Sequence, residues 1–251
     1  MKDQINSNRK ITMIIPVPVP PEALDMFASQ IPPEFQKPGL EIEFVATRDG
    51  ARILDSYYET TLADAFVLEA GIKAAEAGSD AICINSMSDS ALVALRSRLD
   101  IPVVGPCQST FLMACMLGKR FSVLTMWKPW IQLYEKTLTE QGLQHRLASI
   151  RSIEVRPDAA ELLAGKEETV FAALEEQGRI AIEHDRADVI ILGSTTMHQS
   201  HSYLCEKLPV PVLNPGLISL KVCEMLLDMG LSHSKAAYLP PEVLNDGAFG
   251  G

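Results

Sequence analysis

The 251-residue chain is short of several things, and each shortage excludes a class of function. Positive charge is scarce: 22 Lys and Arg stand against 32 Asp and Glu, a formal net charge of −10. That balance repels a phosphate backbone and speaks against a nucleic-acid partner. Aromatic residues make up only 6% of the chain, too few for a base-stacking platform. No apolar run approaches the roughly 18–20 residues that cross a bilayer, so no membrane partner is expected. The N-terminus, MKDQINSNRK, has no apolar core of a secretory signal. The five cysteines, Cys83, Cys107, Cys115, Cys205 and Cys223, are odd in number and loosely spaced. They suit a reduced, cytoplasmic protein better than a disulfide framework. A Gly-rich phosphate loop and a G-x-S-x-G elbow are both missing, which leaves nucleotide binding and α/β-hydrolase chemistry without support.

What is present is a globular composition, 47% apolar and 22% charged. Surface scaling for this mass buries roughly 70% of the unfolded area, enough for one large domain or two half-sized ones. Residues 1–9 read as a loose polar arm. The apolar run from Ile11 to Val19, broken by Pro16, Pro18 and Pro20, predicts a first strand that ends in a rigid proline loop. Further strands are expected at Leu40–Val45, Asp80–Ile84, Ile101–Val104, Phe121–Thr125, Ser152–Val155, Asp188–Leu192 and Pro209–Leu213, with helical stretches between them. Short apolar runs alternating with helices predict α/β architecture with parallel sheets.

The chain also repeats. Asp80-Ala-Ile-Cys-Ile-Asn-Ser86 matches Asp188-Val-Ile-Ile-Leu-Gly-Ser194, and Ile101-Pro-Val-Val-Gly-Pro106 matches Val210-Pro-Val-Leu-Asn-Pro215. An apolar helix follows each match and ends at Gly118 or Gly230. A duplicated unit predicts two similar Rossmann-like halves, residues 10–118 and 119–230, each with a mostly parallel four-stranded sheet, related by a pseudo-two-fold axis. A ligand is then expected in a crevice at the strand C-termini. The last helix is free to pack back on the first half. Residues 231–251 read either as a disordered end or as an arm that grips a neighbour.

The loop after each Asp-initiated strand is small and polar, Asn85–Ser90 in one half and Gly193–His198 in the other. Each precedes a helix, where exposed N–H groups and the helix dipole favour an anion. Ordinary N-capping by Ser and Thr uses the same geometry.

These residues carry a resemblance. The segments DAICINSMSDSAL, DIPVVGP, LGKRFSVLT, ADVIILGSTTM and VPVLNPG, with VATRDGARILDSYYE upstream, resemble the Asp/Glu/hydantoin racemase superfamily, most of all its hydantoin/allantoin branch. The resemblance covers about residues 11–230 in layout. It implies two Rossmann-like halves, an active site between them, no cofactor, and a dimer or larger homo-oligomer. It also implies one catalytic cysteine after the fourth strand of each half. At the matching positions stand Ser86 and Ser194. The branch's Asn-Pro-Asn-Thr loop is likewise replaced, by Ile15-Pro16-Val17-Pro18. A thiol titrates near 8.5 and an alcohol close to water's 15.7, a gap of about 7 units or roughly 10 kcal/mol. Serine without help does not replace a thiol base.

His198 and His201 follow the second loop and Cys205 comes four residues later, a spacing that places all three on one helix face. His198 is four residues past Ser194, suited to act as a general base. A metal held by His198, His201 and Cys205 is a weaker idea, so no metal is assigned. Ser86, Ser194 and His198 are the catalytic candidates. Pro16, Met87, Asp89, Thr125, Trp127, Thr195, Thr196 and Asn214 are the substrate-binding candidates. Asp89 could instead simply favour a helix N-terminus, and Trp127 could pack beneath a helix rather than wall a site. The expected substrate is a small hydantoin-like ring or a short carboxylate. Without thiols the favoured chemistry is hydrolysis, desulfurisation or decarboxylation. A racemase or epimerase using groups such as Asp89 and His198 is one alternative, and a catalytically silent binding protein is the other.

Overall fold

A computed structural model describes residues 8–157 and 167–249 of the chain. Most of the expected N-terminal arm, residues 1–7, lies outside that range, as do residues 250–251 of the tail.

Two four-stranded parallel sheets carry the fold. In the first, β1 (Arg9–Ile15), β2 (Leu40–Ala46), β3 (Ala81–Ile84) and β4 (Val103–Val104) lie in the order β2-β1-β3-β4. In the second, β5 (Phe121–Thr125), β6 (Leu147–Ser152), β7 (Val189–Leu192) and β8 (Val212–Leu213) lie in the order β6-β5-β7-β8. The helices are α1 (Pro21–Ala28), α2 (Tyr57–Glu76), α3 (Leu92–Arg98), α4 (Pro106–Leu117), α5 (Ile131–Gln141), α6 (Glu167–Glu183), α7 (Ser200–Lys207) and α8 (Pro215–Met229). None among the described residues is long and apolar enough to cross a membrane.

The inner strands AICI and VIIL are buried at every residue. That is the signature of parallel strands covered on both faces, and it is why they read as unbroken apolar runs rather than as alternation. The first core gathers Ile14, Val67, Ile72, Ile82, Ile84, Leu95 and Val103. The second gathers Leu124, Leu174, Ile190, Leu192, Leu204 and Val212.

The duplication extends to individual backbone hydrogen bonds. Asn85 N–H to Ile14 and Gly193 N–H to Leu124 both measure 2.7 Å. Thr47 N–H to Ile15 and Ile153 N–H to Thr125 both measure 3.1 Å, and Ile82 N–H to Pro102 and Ile190 N–H to Pro211 both measure 2.9 Å. The shared aspartates have the same task in each sheet. Asp80 accepts from the Lys10 N–H at 2.7 Å, and Asp188 from the Lys119 and Arg120 N–H groups at 3.0 and 2.9 Å. Each carboxylate pins the start of the neighbouring strand. Gly118 is bare because a Cβ there would run into that Asp188 carboxylate.

Two expectations are corrected. The sixth strand is Leu147–Ser152 and meets the expected Ser152–Val155 only at Ser152. Its residues LASIRS are half-buried on an outer strand, so it offers no apolar run to read. The tail, as far as Phe249, is no loose end but is tied to its own chain beside α3. Lys235 Nζ donates to the carbonyls of Arg96 and Ser97 at 3.0 and 3.2 Å and to that of Leu99 at 2.5 Å, capping the C-terminus of α3. Val103 N–H donates to His233 Nε2 at 2.8 Å, and Arg98 pairs with Asp246.

By contact density the chain falls into two compact units that cut across the repeat. One comprises residues 1–85, 90–105 and 220–251; the other comprises Ser86–Asp89 and Pro106–Ser219. The four residues Ser86–Asp89 therefore belong to the same unit as the second sheet and its loop.

Candidate functional site

In the second unit, β7 ends at Leu192 and Gly193 leads into Ser194, which caps a short 3-10 turn, Thr195–Met197. The Ser194 hydroxyl accepts from the Thr196 N–H at 3.2 Å and lies 2.8 Å from the Thr196 hydroxyl. The other serine makes the same turn. The Ser86 hydroxyl accepts from the Ser88 N–H at 3.2 Å and from the Ser88 hydroxyl at 3.1 Å. Both are Ser/Thr turns, in which a short side chain stands in for a backbone carbonyl and folds the loop back on itself. Each serine is half-buried, so its hydroxyl is anchored without being sealed into the core.

The neighbours differ. Asp89, 4% exposed and in the left-handed region at φ 48°, has both carboxylate oxygens engaged. They accept from the Cys107 and Gln108 N–H groups at 2.9 and 2.8 Å. Asp89 therefore caps α4, and its charge meets the positive end of that helix. Asn214 does the same for α8, its Oδ1 accepting from Gly216 N–H at 3.0 Å. Thr125 is fully buried and its hydroxyl lies 2.8 Å from that of Tyr134. Trp127 packs against the second core, 6.5 Å from Trp130 in an edge-on pair, with the Arg156 guanidinium over its ring. Met87 and Thr195 are buried, Thr196 is half-buried, and Pro16 is buried directly after β1.

His198 is half-buried and follows the 3-10 turn, before α7 begins at Ser200. His198 and Gln199 keep helical dihedrals and lead directly into α7, and the His201 N–H donates to the His198 carbonyl at 3.1 Å, so His198 sits one turn before His201. His201 Nε2 lies 3.0 Å from the Val212 carbonyl and 3.5 Å from Cys205 Sγ, so that nitrogen is already committed. Among the described residues no group of three or more His, Cys, Asp or Glu side chains can hold a metal ion. Burial pushes the Cys107 thiol well above its ordinary range, with the nearby Asp89 charge adding to it. Cys107 is therefore a core residue and no nucleophile.

Tyr134 went unread in the sequence. It is fully buried on the apolar face of α5, and its hydroxyl donates to the Gly193 carbonyl at 2.6 Å. The only signal was a tyrosine at a core position, which must find a polar partner when buried.

Three comparisons bear on this arrangement. The family model described as "Asp/Glu/Hydantoin racemase" matches residues 22–223. A hydantoin racemase from Pseudomonas sp. (strain NS671) is 32% identical over 203 residues, 80% of each chain. Allantoin racemase structures from Klebsiella pneumoniae and Pseudomonas fluorescens superpose with TM-scores of 0.85 and 0.83. They are 25% and 26% identical, each match covering 94% of this chain and 95% or 98% of the other.

Proposed function

The chain belongs to the Asp/Glu/hydantoin racemase family, and on that premise we propose that it inverts a stereocentre next to a carbonyl in a small hydantoin-like ring or short carboxylate. The observation that carries the reading is the matched pair of serine turns, which end β3 and β7 with the same hydrogen bonds. The named relatives are racemases, which favours inversion over the hydrolysis, desulfurisation or decarboxylation that the missing thiols suggest.

In this mechanism the substrate carbonyl is held by the Ser86 and Ser194 hydroxyls and by N–H groups of the two loops. These donors stabilise the enolate oxygen as charge develops on it. His198 takes the proton from the stereocentre, solvent water reprotonates the carbanion on its other face, and the His198 imidazolium then returns its proton to the hydroxide left behind. One proton leaves and one returns, and no bond between heavy atoms breaks. Asp89 has no place as a base, since both its oxygens hold α4. Thr195 and Thr196 line the second turn, and Met87 the first.

The test is incubation of one enantiomer of a 5-substituted hydantoin in deuterium oxide. The expected result is loss of optical rotation with a single deuterium entering the ring carbon, and loss of both in His198→Ala. Ring-opened product heavier by one water, or loss of carbon dioxide from a malonate-type acid, would overturn the reading. Thermal stabilisation by ligand with no exchange would instead mark a binding protein.

A further inference from the structure

We infer that Tyr134 is a positioning residue: its hydroxyl locks the Gly193–Ser194 peptide so that the Ser194 N–H is presented to the substrate's developing oxyanion. The inference rests on the proposed proton transfer and assigns that reaction a residue outside both loops.

Gly193 is clamped on both sides. Its N–H donates to Leu124 on β5 at 2.7 Å, and its carbonyl accepts from Tyr134 on α5 at 2.6 Å. In a trans peptide the carbonyl and the following N–H point in opposite directions, and the described chain has no cis bond. A carbonyl drawn toward Tyr134 therefore turns the Ser194 N–H away from the helix. The hydroxyl proton of Tyr134 goes to Gly193, so Thr125, 2.8 Å away, donates in turn to the tyrosine oxygen. Burial raises the phenol far above its ordinary range, which keeps it a donor throughout the working pH range.

The clamp also explains the glycine. A Cβ at residue 193 would lie 2.6 Å from the Tyr134 hydroxyl and 2.8 Å from the Leu124 carbonyl. The matched position in the other half is Asn85, whose side chain donates to Gln30 at 3.2 Å. The strand register is shared, but the bare residue and the phenol above it occur only at the second loop.

The experiment compares wild type, Tyr134→Phe, and Thr125→Val with Tyr134→Phe together. An N–H that meets charge mainly in the transition state acts on kcat more than on KM. Tyr134→Phe is expected to lower kcat for deuterium exchange roughly 10- to 100-fold, with KM changed less than about 3-fold. It also leaves the Thr125 hydroxyl buried without its partner, so the thermal midpoint falls. The double variant removes that orphan and recovers part of the midpoint, yet kcat stays low because the buried Gly193 carbonyl still lacks its donor. Hydrogen exchange at the Gly193 amide, which donates to Leu124, should quicken about 10-fold or more in both variants without substrate. Should Tyr134→Phe not fold, the double variant carries the same readouts. Recovery of kcat in the double variant, or an unchanged Gly193 amide, would overturn the assignment. If wild type turns over no hydantoin, the proposed function fails and the amide measurement alone decides the role of Tyr134.

Discussion

The loop after β3 and the loop after β7 grow from the same frame and are held by different hands. Both begin one residue past the strand end with a 2.7 Å bond to the neighbouring strand, and both fold over a serine that binds the residue two positions on. Beyond that the first is braced from below by a charge, Asp89 on the N-terminus of α4. The second is braced from the side by a neutral hydroxyl, Tyr134 on the Gly193 carbonyl. A duplicated fold preserves what the sheet requires, namely register and strand ends. The anchors that aim each loop are free to diverge, and they set the two serines in different environments.

The largest effect should come from restoring sulfur. Ser86→Cys together with Ser194→Cys should raise the rate of deuterium exchange by about 100-fold or more, since a thiol titrates about 7 units below an alcohol. The single variants divide the comparison: equal gains would make the two loops interchangeable, whereas a larger gain at Ser194 would assign the better-aimed position to the phenol-braced side. Exchange no faster than wild type in the double variant would mean that neither position reaches the proton of the stereocentre.

Next in size is the matched pair Gly193 and Asn85. Gly193→Ala drives a Cβ into the Tyr134 hydroxyl and the Leu124 carbonyl and should cost about 3 kcal/mol in urea denaturation. Asn85→Ala removes a side-chain hydrogen bond but needs no new space, and should cost about 1 kcal/mol. Similar costs at both positions would mean that the clamp on Gly193 is no tighter than the other loop's anchor.

The smallest effect concerns the tail, which packs on the first unit beside α3. His233 accepts from Val103 N–H and faces Arg96, Lys235 and Tyr238. Burial, and then the Arg96 charge, pull its pKa down from 6.5 to about 4. The unfolded chain therefore takes up a proton first as acid is added. Stability from this contact is complete above pH 6.5 and is lost as pH falls from 6.5 toward 4. Amide exchange should quicken over that window in α3 but not in its counterpart α7, and His233→Phe should flatten the response. An equal response in both helices would put its source elsewhere.

The strand skeleton was legible because fully buried parallel strands leave short apolar runs; β3, β5 and β7 were read within a residue of their ends. The outer strand β6 was not, since LASIRS is half-buried and its polar residues alternate with nothing. The two serine turns were legible because the repeat aligns them. Asp89 as a cap, His201 turned to the Val212 carbonyl, and Tyr134 over Gly193 were not, because each joins residues 11 to 59 positions apart.

By itself, then, the sequence determined the alternation of strands and helices, their duplication, and the small polar loops at matched strand ends. These follow from local periodicity and from residues that turn the chain. Only the tertiary structure decided which carboxylate is already committed to a helix, which histidine is drawn aside, and which buried hydroxyl orients the second loop. A side chain's partner depends on the distance across the fold, and nothing in the linear order of residues encodes that distance.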